Sequence, residues 1–188
     1  ERVTSAPART SKSWSAAVEI VHDFFPDLED GPGFVAATNE TICWIVAVAY
    51  DNSKEWEYAR SYLIDKKLIE AVGGTIETDT NSPNQCNMTI RVLWPFQTKE
   101  GLPARSILQV KSSVNEKTLQ GEQVKTAILS EAAEHDKRIY EKYLRTRCKY
   151  LIFPTTPKRK ALWLYEHFQR GIEDRGLSIE HFQYDRFC

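Results

Sequence analysis

Residues 124 to 133 read Val-Lys-Thr-Ala-Ile-Leu-Ser-Glu-Ala-Ala. The aliphatic run to Leu129 has the length and make-up of a buried strand, and a carboxylate, Glu131, stands just past its end. Two further apolar runs accompany it. Residues 42–49 (ICWIVAVA) are unbroken, as in a strand covered on both faces, and residues 149–153 (KYLIF) lead into Pro154-Thr155-Thr156-Pro157. Between these runs the period changes to that of a helix. Ala17, Val18, Val21, Phe24 and Phe25 recur from Ser13 up to Pro26. Trp56, Ala59, Tyr62, Leu63, Ile69 and Val72 follow the cap-type Ser53 and end at Gly73-Gly74. Helices are also expected over 133–147 and over 158–171, the latter carrying Ala161, Leu164, Tyr165 and Phe168. Strands are expected at 2–6, 106–110 and 178–184, with a hairpin over 75–96 turning around residues 81–84. Alternation of this kind predicts an α/β domain, residues 1–188, with a mostly parallel central sheet flanked by helices.

The bulk composition narrows the function. At 188 residues, 41% hydrophobic and 27% charged, the chain can bury a full core without metal or disulfide staples. It contains no apolar run long enough to span a membrane and no signal-peptide core, so no membrane partner is expected. Cys43, Cys86, Cys148 and Cys188 are widely spaced and fit reduced thiols, which makes the Asn-x-Thr triplets at Asn39 and Asn87 accidental. His22, His135, His167 and His181 have no metal-ligand spacing with them. A formal net charge of −1 argues against a protein that coats nucleic acid over a broad face; contact with DNA must be local or shared among subunits. The chain opens at Glu1 without an initiator Met and within an apparent strand, so a segment of a longer protein is expected.

Three stretches carry candidate chemistry. Ala6-Pro7-Ala8-Arg9-Thr10-Ser11-Lys12-Ser13 lies between a strand and a helix. A phosphate-binding loop there needs backbone N–H groups, a Lys for the β and γ oxygens, and a Ser or Thr for Mg²⁺. Lys12 and Ser13 provide the last two, although a polar helix cap would look the same. Glu131 suits a carboxylate that activates water for attack on a γ-phosphate, or alternatively an acidic helix cap. Thr155 and Thr156 offer hydroxyls at a third strand exit, where a proline-bounded turn is the plainer reading. In an open parallel sheet these exits converge on one crevice.

The order of these stretches resembles the ATPase domain of phage-type terminase large subunits over nearly the whole chain. Residues 7–13 (PARTSKS) look like that family's Arg-bearing Walker A loop. Residues 44–51 (WIVAVAYD) are similar to its second strand and Tyr-Asp exit. Residues 128–133 (ILSEAA) match its apolar-Asp-Glu-Ala-Ala segment with Ser130 at the Asp position, and Thr155-Thr156-Pro157 resembles its coupling motif, with Trp163 to Phe168 as the helix that follows. The resemblance implies a RecA-like P-loop NTPase fold of the additional-strand class, with a catalytic Glu beside the P-loop strand. It implies ATP and Mg²⁺ as cofactors, with Pro7, Ala8, Arg9, Thr10, Ser11, Lys12 and Ser13 on the nucleotide. Ser13 would ligate Mg²⁺, and Ser130 would act on it through water. Glu131 and Arg9 would be catalytic, Thr155 and Thr156 would couple hydrolysis to movement, and Tyr50 and Asp51 would face nucleotide or DNA.

The implied partners are double-stranded DNA, the portal protein and procapsid, the small terminase subunit, and further copies of the chain in a ring, in the host cytoplasm. Nothing here resembles the nuclease domain of such proteins. The departures are the missing loop glycines, replaced by Ala6 and Ser11, the uncharged Ser130, and Gln120 where some relatives place an arginine that acts on a neighbour. Arg105, Lys111 and Lys117 are alternatives for that arginine. A helicase-like P-loop translocase and a non-hydrolysing nucleotide-binding assembly module are the rival readings. Lys158-Arg159-Lys160 reads as a solvated helix start rather than a DNA contact.

Overall fold

The computed structural model describes residues 2–5, 11–29, 34–50, 53–156 and 161–173. Seven strands form one sheet: β1 (Arg2–Ser5), β2 (Glu40–Ala47), β3 (Thr75–Ser82), β4 (Asn87–Gln97), β5 (Pro103–Ser112), β6 (Val124–Leu129) and β7 (Cys148–Thr155), in the order β1-β7-β6-β2-β5-β4-β3. The first five positions in that order pair in parallel, while β4 and β3 extend the sheet antiparallel beyond β5. The expectation of a mostly parallel sheet therefore holds for the half carrying the candidate chemistry. The hairpin turns at Pro83–Gln85, with Cys86 in the left-handed region at φ 52°, slightly beyond the expected tip.

β7 lies between β1 and β6, so Glu131 is two strands from β1 rather than beside it.

Each central strand alternates its side chains between two cores, as the pleat requires. On β2, Cys43 and Ile45 face a core shared with α1 (Lys12–Phe24) and α2 (Lys54–Tyr58), while Trp44 and Val46 face the other. The second core is closed by Ile139, Tyr140, Tyr143, Leu144 and by Ala161 and Leu164 around the start of α5 (Leu162–Glu173). Trp163 stacks on Tyr140 at 5.7 Å and meets Phe153 edge-on. That makes the Trp163 helix a packing element. Its partner in the expected pattern, Tyr165, is exposed.

Two expected helices are broken, each for a visible reason. The stretch from Ser53 forms α2, then a π turn over Ala59–Leu63, then α3 (Lys66–Ala71). Ile64 is extended, and Asp65 recaps the chain by accepting from the Lys67 and Leu68 backbone N–H groups. Tyr62 and Val72 consequently fall on the exposed side, as Val18 and Phe25 do around α1. The stretch expected as a helix over 133–147 is a 3₁₀ turn (Ala132–Glu134), an extended His135, a short α4 (Lys137–Ile139) capped by Asp136, and a π turn (Tyr140–Leu144). An Asp in mid-segment offers the backbone a cap, and here tertiary packing uses it to interrupt both helices. The strand expected at 178–184 lies outside the described residues.

Candidate functional site

Parallel pairing brings the C-terminal ends of β1, β7, β6, β2 and β5 to one side of the sheet, and α1 starts there. Lys12, the first residue of α1, is 8% exposed. Its Nζ donates to Thr156 Oγ1 at 3.4 Å. The Thr156 backbone N–H points at Glu131 Oε2, also at 3.4 Å. One residue back, Thr155 Oγ1 accepts from the Ala133 backbone N–H at 3.0 Å. Three separated stretches thus meet in one connected set: Lys12 from the β1 exit, Thr155 and Thr156 from β7, and Glu131 from β6.

Glu131 sits in the left-handed region, at φ 49° and ψ 54°. That conformation costs a residue with a Cβ on the order of 1–2 kcal/mol, and such strain concentrates at functional sites. Here it turns the carboxylate out of the strand line so that it meets Thr156 instead of running on into the 3₁₀ turn.

Ser130 is buried and held on every side. Its N–H donates to Val46 O at 2.9 Å, and its carbonyl accepts from His135 Nε2 at 2.8 Å. Its hydroxyl donates to Glu55 Oε2 at 2.7 Å. The Ser130 carbonyl can only accept, so Nε2 carries the proton of the neutral ring, and Nδ1, 2.9 Å from Ser113 Oγ, accepts from that hydroxyl. Burial holds the His135 pKa below its ordinary value, so the ring is neutral. The imidazole therefore ties the exits of β6 and β5 together.

Of the other candidate residues, Ser13 lies half-buried in the first turn of α1, and the carbonyl of Ser11 accepts from Ser15 at 2.8 Å. Pro7, Ala8, Arg9, Thr10 and Asp51 lie outside the described residues, as do Pro157 and the basic triplet 158–160. Tyr50 does not join the Lys12 group. It packs against the core, where burial and the Cys86 thiol raise its phenol pKa against a hydrogen bond from the Ser112 backbone. Gln120 is exposed beside the buried Leu119. Arg105 pairs with Glu77 at the entry end of β5, remote from the strand exits, and Lys111 lies over the Trp44 ring at 5.1 Å. Cys43, Cys86 and Cys148 are free thiols, and burial pushes Cys43 and Cys148 up to about 12.

Sequence reasoning missed Glu55, His135 and Ser113. Glu55 carried a usable signal. It lies four residues before Ala59 and beside Trp56, so helical spacing puts a carboxylate on the apolar face. His135 and Ser113 carried none, because their meeting depends on two distant strand exits.

Side chains with oxygen donors predominate at these exits: Ser13, Ser130, Glu131, Thr155 and Thr156. Among the described residues, no three or more His, Cys, Asp or Glu are grouped to cage a metal. Such a donor set fits Mg²⁺, a hard cation that keeps waters and shares phosphate oxygens rather than occupying a protein cage.

No protein-family model matches the sequence, and no curated protein matches it at a significant level. Solved structures do match. The large terminase ATPase domain of Thermus phage P74-26 superposes with a TM-score of 0.64 at 20% identity, covering 89% of this chain and 63% of that one. The chain has the fold of a phage large-terminase ATPase domain. The large terminase of a second thermophilic bacteriophage agrees, with a TM-score of 0.61 at 14% identity over 97% of this chain and 40% of its own length. A further crystal form of that terminase, solved in complex with ADP, matches with a TM-score of 0.54. This chain therefore spans less than two thirds of the first terminase chain, 63%, and 40% of the second. Among the described residues, no helix is long and apolar enough to cross a membrane.

Proposed function

We propose that this chain is the ATP-hydrolysing motor domain of a terminase large subunit, acting in a ring on the portal to drive double-stranded DNA into a procapsid. The observation that carries this reading is the connected set of Lys12, Thr156 and Glu131 at the exits of β1, β7 and β6. A phosphate-binding lysine, a γ-phosphate sensor and a water-activating carboxylate are needed within one another's reach, and nothing in a polar cap or an ordinary turn requires that. The ADP complex of a fold neighbour supports nucleotide as the ligand.

In this reading Lys12 neutralises the β and γ phosphate oxygens, and Arg9 adds charge as the bond to the γ-phosphate breaks. Mg²⁺, when bound, would supply charge neutralisation at those oxygens, and Ser13 would hold it through its hydroxyl. Glu131 Oε2 orients the attacking water and takes its proton. Thr156 touches both Lys12 and Glu131, so loss of the γ-phosphate changes its two partners together. Thr156 stands at the end of β7, between that strand and α5, and passing this change on toward α5 is the coupling role assigned to Thr155 and Thr156. The small terminase subunit, the portal and the host cytoplasm as assembly site belong to this proposal.

With Gln120 at the position of a trans-acting arginine, a cation from another segment must complete the site. Such an arginine is worth about 10³- to 10⁵-fold in P-loop enzymes, so the chain alone is expected to turn over slowly. Ser130 favours one rival, a nucleotide-binding module that does not hydrolyse, because its position lacks the acid that holds hydrated Mg²⁺. Mg²⁺-dependent ATP binding and turnover separate the two. Lys12→Ala is expected to lose binding, while Glu131→Gln binds but turns over about 10²- to 10⁴-fold more slowly. Turnover indifferent to Glu131→Gln would reject the catalytic assignment, and binding without turnover in the wild type would favour the module.

A further inference from the structure

Glu55 lies in the first turn of α2 and is 1% exposed, among the most deeply buried side chains of the molecule. A carboxylate there is costly unless hydrogen-bonded or opposed by a cation. Its Oε2 accepts from Ser130 Oγ at 2.7 Å. Among the described residues, none of the ion pairs involves Glu55. The molecule therefore keeps a carboxylate at the β6 exit, carried by a helix instead of by the strand.

The chemistry of the pair is specific. A serine hydroxyl has one proton and two lone pairs. With the proton committed to Glu55, Ser130 Oγ is left as an acceptor, made more electron-rich by the carboxylate behind it. That is the character required of an oxygen that holds the water shell of a hard cation. The main chain of Ser130 is fixed by Val46 and His135, and the hydrogen bond to Glu55 sets the direction of its hydroxyl. The neighbouring fold elements point the same way. Tyr58, one turn after Glu55, packs edge-on against Trp14 at 5.4 Å, and Trp14 directly follows Ser13. The short helix that carries Glu55 to Ser130 is thus docked on the first turn of α1.

We propose that the Ser130–Glu55 pair does together what a single aspartate at the β6 exit would do, with Glu55 as the positioning residue that makes Ser130 an acceptor for Mg²⁺-bound water. The inference rests on the P-loop reading above and names the charge that reading lacks. It also answers the rival module, because the acid missing from position 130 is present at hydrogen-bond distance from its side chain.

The test is titration of a fluorescent ATP analogue into this chain with excess EDTA and, separately, with increasing Mg²⁺. In the wild type, Mg²⁺ is expected to tighten nucleotide binding. Glu55→Gln keeps the shape and an acceptor for Ser130 but removes the charge. It is expected to raise the Mg²⁺ concentration needed by about 10- to 100-fold, with affinity in EDTA unchanged. Glu55→Gln combined with Ser130→Asp returns the charge to the strand and is expected to restore the wild-type Mg²⁺ response. A merely structural role would lower both affinities together and would not be rescued, and either result overturns the proposal. So does a wild-type Mg²⁺ response in Glu55→Gln. If the wild type binds no nucleotide in either condition, the P-loop reading itself fails and this inference goes with it.

Discussion

The Lys12 ammonium and the Thr156 hydroxyl, 144 positions apart in the chain, meet at 3.4 Å at the exit side of the sheet. The contact exists because β1 and β7 are neighbours in parallel register, with Ser5 opposite Thr155. Strand order places a lysine that follows one strand against a threonine that follows the other.

Under the proposed function, that relationship predicts that Thr156 acts as a reporter rather than an anchor. Thr156→Val removes the hydroxyl and keeps the backbone N–H that reaches Glu131. Nucleotide affinity is expected to stay within about threefold, since a single neutral hydrogen bond is worth on the order of 1 kcal/mol or less. Turnover is expected to fall by more than affinity. Steady-state kinetics with parallel binding measurements check the split, and equal losses in both would assign Thr156 to binding alone.

Glu131 holds a backbone conformation that suits glycine better than an acid. Glu131→Gly is expected to fold at least as stably as the wild type. Glu131→Val, β-branched in the left-handed region, is expected to lose about 1–2 kcal/mol or more. Both lose the carboxylate, and under the proposed function both are expected to lose turnover. Urea denaturation of the three proteins decides the order, and a Val variant as stable as the Gly variant would refute the strain at this position.

His135 makes stability depend on pH. Burial lowers its folded pKa below the ordinary 6.5, so the unfolded chain binds the extra proton first as pH falls. Stability is then fully present above about pH 6.5 and declines as pH drops through that value toward the lower folded pKa. Protonation would also take the Nδ1 acceptor away from Ser113. Denaturation midpoints measured from about pH 7.5 down to about pH 5.5 are expected to fall in the wild type and to fall less in His135→Gln. Parallel slopes in the two proteins would place the titration elsewhere.

Gly74 closes the turn between α3 and β3 against two side chains. A Cβ there would lie 2.7 Å from Ile69 Cγ2, 3.0 Å from Ile69 O and 3.2 Å from a Trp94 ring carbon. Gly74→Ala is expected to cost about 1–3 kcal/mol by overpacking. Gly74, unlike Gly101 at φ 78°, does not occupy the left-handed region, so its cost is one of packing, and thermal melting of Gly74→Ala against the wild type measures it. A Gly74→Ala protein that melts with the wild type would leave packing around Gly74 without a role.

The sequence determined the elements whose character is local. Residues 42–49 read as a strand buried on both faces, and the structure places β2 (Glu40–Ala47) between β6 and β5, with Val48 and Ala49 half-buried beyond its end. The apolar run ending at Leu129 placed Glu131 at a strand exit, and the Thr155-Thr156 pair fell at another. These readings need only side-chain periodicity and composition, which a single chain segment carries by itself.

What tertiary structure decided is everything that depends on which segments become neighbours. The helices read from 53–72 and 133–147 share apolar spacing with unbroken helices. Packing against the sheet and the caps offered by Asp65 and Asp136 break them, and propensity is too weak to resist. Ser130 read alone is a site without its acid. Only when β6 and α2 are folded together does the Glu55 carboxyl arrive at 2.7 Å from the Ser130 hydroxyl. Side-chain hydrogen bonds between distant segments follow strand order and helix docking, which no local period encodes. The strand exits were therefore legible in the chain, while the partners that give them chemistry came from the fold.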